Sequence, residues 1–322
     1  MKKSVYMGVR QQLRFKPSHG EILKYLCFDI TVVALIVGVW NWYPQAWIAI
    51  ALSPLTSILM FRNFALMHDA THGAVSDDPL VNNIIGNWCG IWAGLPFQSW
   101  KQSHLLHHYW SGNLEKDPVM ALAVIFPKLP NRLQTVLSFL WRRWIPILGG
   151  LQQVVFWKLA LQNGLLAARP SVLLSLLLPV IGWGSVALLS PKFLVWNIFP
   201  AIFIYLLLVE IVNFPHHLQM LTGSGEDRWP IWRQHETART CLYPQWFAKY
   251  VVLNFNYHAE HHMFPEVPWY SLPNVHEKVI ALMPGQLHLD DSFRWIIDNR
   301  PREIIAIVAN NKVGAPPLEK VS

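Results

Sequence analysis

Histidine sets the reading of this chain. Most of its 14 copies in 322 residues fall in four groups: His68-Asp-Ala-Thr-His72, His104-Leu-Leu-His107-His108, Asn213-Phe-Pro-His216-His217 and His258-Ala-Glu-His261-His262. At that density an H-x-x-H-H run is expected by chance roughly 0.03 times in the chain, and two are present. Positions three and four apart share one face of a helix, with Cβ atoms roughly 5–6 Å apart, so each group presents its imidazoles as a local cluster. That is the spacing of metal ligands. Neutral imidazole suits zinc, copper, iron and nickel alike, so ligand type does not choose the metal. Number says more: a structural zinc takes four ligands and a catalytic zinc three, whereas nine histidines exceed one ion and suffice for two with open positions. No H-E-x-x-H is present, which argues against a zinc protease. The Glu-x-x-His pairing of soluble di-iron bundles is missing as well.

The elements that must position these groups are apolar. The chain is 53% hydrophobic and 14% charged, with a mean hydropathy of +0.26, high for a water-soluble domain of this size. Residues 25–41, 46–66, 171–190 and 193–212 approach the roughly 20 residues that a spanning helix requires. They fall into two hairpins with short turns, Asn41 to Gln45 and Ser190 to Lys192. Basic residues concentrate elsewhere, at Lys2, Lys3, Arg10, Arg14 and Lys16 and then at Arg62, Lys101, Arg142, Arg143, Lys158 and Arg169. The positive-inside rule therefore places the N-terminus, the middle segment and the C-terminal segment in the cytoplasm. No removable signal peptide is apparent at the start.

Two shorter apolar stretches read differently. Residues 84–100 are interrupted by Gly86, Gly90, Gly94 and Pro96, and residues 133–161 carry Arg142 and Arg143 at their centre, where charge is costly in hydrocarbon. Both are expected to lie in the interface, anchored by Trp88, Trp92, Trp100, Trp141, Trp144 and Trp157. If residues 84–100 spanned, the bilayer would separate the histidines on either side of them.

The net charge of +7 is scattered among tryptophan-rich apolar segments, which excludes nucleic acid as a partner class. Cys27, Cys89 and Cys241 form no C-x-x-C pair, so neither an iron–sulfur cluster nor a disulfide framework is indicated. They read as buried small apolar residues. Without a redox module in the chain, an O₂-activating metal enzyme would need a separate electron donor. No linker or repeat marks a seam, and residues 1–322 read as one domain.

The order H-x-x-x-H, H-x-x-H-H, H-x-x-H-H, split by a second apolar hairpin, resembles the membrane fatty acid desaturase superfamily, which also holds carotenoid hydroxylases and ketolases. The resemblance covers about residues 45–275. It is strongest from Asn256 to Pro265 and on through Val267-Pro268 and Leu272-Pro273, similar to the third histidine box of bacterial and acyl-lipid desaturases. It implies an all-α integral membrane fold, four transmembrane helices in two hairpins, with a cytoplasmic helical cap holding two irons. By matching position the implied ligands are His68, His72, His104, His107, His108, His217, His258, His261 and His262. Asn213, four residues before His217, would contact a metal through water, while His216 is left out. The implied chemistry uses O₂ to take hydrogen from methylene carbons of a fatty acyl chain, fed by a ferredoxin or cytochrome b-type donor and its reductase. The implied location is the bacterial inner membrane. Three rather than four residues inside the first box, and no Gln opening the third, separate the chain from acyl-CoA and front-end types and bear on the form of the substrate.

Supporting residues follow from position. Asp69, Asp117 and Glu260 can accept hydrogen bonds from the free ring N–H of ligating histidines. Glu210, near the end of an apolar stretch, reads as an acid that reaches the interface. His19, His235, His276 and His288 receive no role. Trp100 or Trp110 would line an apolar slot for the substrate, and Arg142, Arg143 and Lys158 would receive the donor. Carotenoid ketolation or hydroxylation is the second reading, carried by Pro96-Phe97-Gln98 and Val267-Pro268-Trp269. A zinc-dependent membrane receptor or hydrolase, or a metal transporter, is a reading of another class.

Overall fold

Apolar helices dominate because the sequence offers long runs without charge and places its prolines at helix starts. The computed structural model describes residues 1–13, 16–167, 169–308 and 312–313; Arg14, Pro316 and Pro317 lie outside the described residues. The helices are α1 (Lys3–Gln12), α2 (His19–Trp42), α3 (Ala46–Thr71), α4 (Pro79–Ala93), α5 (Phe97–Tyr109), α6 (Asn131–Arg142), α7 (Ile147–Ala167), α8 (Pro170–Leu189), α9 (Pro191–His217), α10 (His258–Met263), α11 (Leu272–Leu282), α12 (Ser292–Asn299) and α13 (Ile304–Val308). Of these, α2, α3, α8 and α9 are long and apolar enough to cross a membrane.

The long helices overrun the stretches expected from hydropathy, and polar pairing explains why. Arg62 would end a purely apolar run, but its Nε donates to Asp29 Oδ1 at 2.7 Å and its Nη1 to the Tyr250 carbonyl at 2.6 Å. The guanidinium also lies over the rings of Tyr25 and Phe28. A buried charge so paired is tolerated, and α3 continues to Thr71 with His68 in its last turn. At the opposite end Asn197 joins α9 to α3, taking the Thr56 hydroxyl at 3.0 Å and donating to the Ala49 carbonyl at 2.9 Å.

Residues 84–100 do not form one interfacial helix. The chain turns at Gly94, in the left-handed region at φ 67°, so the stretch is divided between α4 and α5. Gly86 and Gly90 face Phe97 and Leu95 so closely that a Cβ would collide with them, so the start of α5 folds back on α4, which itself packs on α3 and α8. Trp183 Nε1 donates to the Ile91 carbonyl at 2.8 Å. Residues 133–161 are likewise split into α6 and α7, bent by 120° at a turn where Trp144 takes φ 63°.

Beyond the ends of α3 and α9 lies a layer of short elements: α1, α10, α11, α12 and α13 with two short parallel strand pairs. β1 (Leu221–Thr222) pairs with β4 (Lys312–Val313), and β2 (Thr240–Leu242) with β3 (Leu289–Asp291). The fold is mostly helical as expected, and these short pairs satisfy backbone groups of the connecting loops. Tyr6 of α1 stacks on Phe264 at 5.0 Å within an apolar cluster that includes Met263, Val267 and Val275. Large side chains buried this fully contribute about 1.5–3 kcal/mol each, so α1 and α11 hold the third histidine box in place.

Candidate metal centre

Each histidine group sits where a helix ends or turns, so its rings point into one layer. His68 and His72 close α3, His104, His107 and His108 lie on α5, His217 ends α9, and His258, His261 and His262 form the single long turn of α10. The nine rings converge in two adjacent groups. One holds His68, His72, His104, His108 and His261; the other holds His107, His217, His258 and His262. Within each group the candidate ligand atoms all lie within 4.8 Å of one another. The groups touch where His108 stacks on His262, centroids 4.3 Å apart. Residues from 68 to 262 thus meet at one end of the long helices, which answers the question raised by residues 84–100.

Hydrogen bonds fix several of these rings from behind. His107 Nδ1 faces Asp117 Oδ1 at 2.8 Å, His217 Nδ1 faces the Thr237 carbonyl at 3.0 Å, and His262 Nδ1 faces Gln234 Oε1 at 3.1 Å. The Gln234 amide is oriented by its Nε2, which donates to the His108 carbonyl at 2.7 Å. All three Nδ1 atoms look at acceptors, so each carries the proton and donates. Burial pushes His262 well below the ordinary histidine range, which leaves it neutral with a lone pair on Nε2. His107 Nε2 and His262 Nε2 face each other at 3.2 Å. A cation at this point would be within reach of both ring nitrogens.

The second group adds the same signal. His72, His104, His108 and His261 meet through Nε2 contacts of 2.9, 3.1 and 3.1 Å. Both ring nitrogens of His68 are buried without a hydrogen-bond partner. Burial lowers His72 to about 3 and holds His104, His108, His258 and His261 well below the usual range. Neutral, lone-pair-bearing imidazoles at this density fit iron or another borderline metal ion, and the residues at hand fit two such ions.

Comparison with known proteins bears on what such a site serves. Residues 45–293 match the fatty acid desaturase family. The chain belongs to that family. Over 101 residues it is 32% identical to the omega-3 fatty acid desaturase of the endoplasmic reticulum from Nicotiana tabacum, covering 30% of this chain and 25% of that protein. It is 31% identical over 104 residues to the acyl-lipid omega-3 desaturase (cytochrome b5) of Arabidopsis thaliana, covering 32% of this chain and 25% of the relative. These matches span only a quarter of the plant proteins. A longer, weaker likeness of 22% over 309 residues links it to the sn-1 acyl-lipid omega-3 desaturase (ferredoxin) of Nostoc sp. (strain 36), over 87% of this chain and 81% of the relative.

Within this family member a hollow of about 30 Å³ opens beside the rings, lined among others by Trp100, Gln152, Phe156, Tyr205, Asn213 and His258. Besides its aromatic and aliphatic lining, the hollow carries three amides, Gln152, Gln153 and Asn213. Trp100 lines it and stacks on His104 at 4.7 Å, whereas Trp110 instead lies under the Lys116 ammonium at 4.2 Å. Asn213 does reach the hollow, beside His217 and His258. His216 belongs to neither group and stacks on His258 at 4.2 Å.

Several expectations are corrected. Glu260 does not orient a ligating ring: its Oε1 pairs with His276 Nδ1 and its Oε2 with the Thr240 hydroxyl, each at 2.5 Å, because it points out of the opposite side of α10. His276 thereby has a role that its isolated position concealed. Asp69 accepts from the Trp269 N–H at 2.8 Å and leaves its other oxygen 3.5 Å from His68. Glu210 is buried rather than interfacial, as described below. Cys27 is exposed, since α2 presents most of its surface outward and an apolar thiol is at home there. Gln234 gave no sequence signal at all; it bridges two boxes only because the chain folds residues 231–236 between them.

Proposed function

We propose that this protein is an O₂-dependent di-iron oxidoreductase that introduces a double bond into a fatty acyl chain. The observation that carries the reading is the convergence of nine imidazoles from distant segments in two adjoining groups, with the Nε2 atoms of His107 and His262 facing each other at 3.2 Å. The proposed ligands are His68, His72, His104, His108 and His261 for one iron and His107, His217, His258 and His262 for the other, with Asn213 reaching the second through water. Bound iron with O₂ supplies the oxidising power for removing hydrogen from adjacent methylene carbons. Asp117, Thr237 and Gln234 hold the rings behind it, keeping each Nδ1 protonated and each Nε2 free. Trp100, Phe156 and Tyr205 shape the space for the chain and keep bulk water away.

The whole chain is proposed to act as one domain, with residues 45–275 as its core. The four long helices would span the membrane as two hairpins, with the histidine layer as a cytoplasmic cap and both termini on that side, in the bacterial inner membrane. The names of the relatives make an acyl lipid the first substrate to test, with a ferredoxin or cytochrome b-type donor served by its own reductase.

Expression in a host lacking the activity, followed by mass spectrometry of its lipids, tests the reading. New unsaturated acyl chains are expected. Oxygenated carotenoids in a carotenoid-producing host would transfer the assignment to ketolation or hydroxylation, and purified protein holding zinc and no iron would end both.

A further inference from the structure

Resting on that reading, the electrons must reach the imidazole layer from a second protein. Among the described residues, one groove on the outside of this layer has a proposed ligand in its own wall. It is lined by Leu105, His108, Tyr109, Arg228, Trp229 and Ile231, with Gln234 at its floor. His108 stacks on His262 of the other group, so its ring joins the groove to both metal positions. A second outer hollow, lined by Glu115, Lys116 and Lys158 among others, stops at Asp117, which stands behind His107 rather than in the ligand layer. Arg142, expected to receive the donor, is tied to Glu303.

The groove also states what it would accept. Arg228 is its sole charged lining residue, exposed and seated over the Tyr109 ring at 4.3 Å. Lys3 lies over Trp232, next to Ile231, at 5.2 Å, whereas Lys116 and Arg10 nearby are neutralised by Glu226 and Glu266. Leu105 and Tyr109 are exposed at 43% and 52%, an apolar centre beside unneutralised cations. An apolar centre with a cationic rim complements a surface rich in carboxylates.

We propose that this groove is the docking site of an acidic one-electron carrier protein, seated over His108. The carrier gives up one electron per encounter to the oxidised metal centre and leaves oxidised itself.

The test uses the full chain, iron-loaded in lipid nanodiscs, mixed with a reduced plant-type ferredoxin as the acidic probe. Wild type is expected to be reduced in a second-order reaction that slows as salt rises. Arg228→Glu combined with Lys3→Glu should slow it at least tenfold at low salt and flatten the salt dependence. Leu105→Glu should slow it independently. Iron content and reduction by a small uncharged mediator should be unchanged in all variants, which separates docking from misfolding. Equal ferredoxin rates in wild type and variants, no reduction of wild type by ferredoxin, or slowing by Lys158→Glu alone would each overturn the proposal. Failure of wild type to hold iron would instead overturn the reading beneath it.

Discussion

Arg300 closes over Glu210 so that the carboxylate, carried by the last long apolar helix, is wholly enclosed. The same carboxylate accepts the Leu148 N–H at 2.7 Å and the Gly149 N–H at 3.2 Å, and the guanidinium lies 3.7 Å from the centre of the Trp141 ring. The C-terminal segment, α6, the start of α7 and α9 are thereby joined at one point. Arg300→Ala leaves an unpaired buried charge and should cost about 3–5 kcal/mol, while Glu210→Gln with Arg300→Met should recover most of it. Thermal unfolding in detergent reads both; equal Tm for Arg300→Ala and wild type would contradict the account.

Asp117 offers one oxygen to His107 Nδ1 and the Val119 N–H and the other to the Gly112 N–H. An amide in its place must turn an NH₂ toward one of these donors. Asp117→Asn is therefore expected to weaken iron binding by about 10- to 100-fold, measured by titration of the apo protein. Unchanged affinity would remove His107 from the ligand set.

Removing the metal should be felt as instability. Without a cation the Nε2 atoms of His107 and His262 oppose each other, and ligands that bind only the folded state stabilise it by mass action, about 2.7 kcal/mol at a free concentration of 100 Kd. Ferrous iron should raise Tm in a concentration-dependent way and a chelator should lower it. A Tm indifferent to both would argue that the cluster packs as ordinary polar core.

Acid should weaken the apo fold through the same rings. His72 titrates at about 3 in the folded protein against an ordinary value of 6.5, and His262 is also held low by burial. The unfolded chain thus binds more protons, so the stability these rings allow is complete above about pH 6.5 and is lost as pH falls toward 3. At pH 5.5 each such ring should cost about 1.4 kcal/mol. Melting of the apo protein between pH 7.5 and 5.5 checks the sign, and a Tm that rises on acidification would refute it.

The candidate ligands were legible because helical spacing is local: residues three and four apart share a face whatever the tertiary fold, and the rarity of H-x-x-H-H made chance a poor account. The four long helices were legible for the same reason, as hydropathy needs no partner. What failed depended on partners far away in sequence. Glu210 was read as interfacial because Arg300, ninety positions on, gives no local sign of reaching it. Glu260 and His276 find each other across the turn between α10 and α11. The division of residues 84–100 hung on Gly86 and Gly90 admitting Phe97 and Leu95, a matter of contact rather than composition.

Both imidazole groups draw on α10: His261 completes one, and His258 and His262 complete the other. During synthesis, then, neither group is complete until the ribosome has passed α10, and the second also needs α9 in its place. A nascent chain halted after α5 carries five of the nine rings, four of them from one group, and His261 and the whole of the other group's remainder arrive only with the later segments.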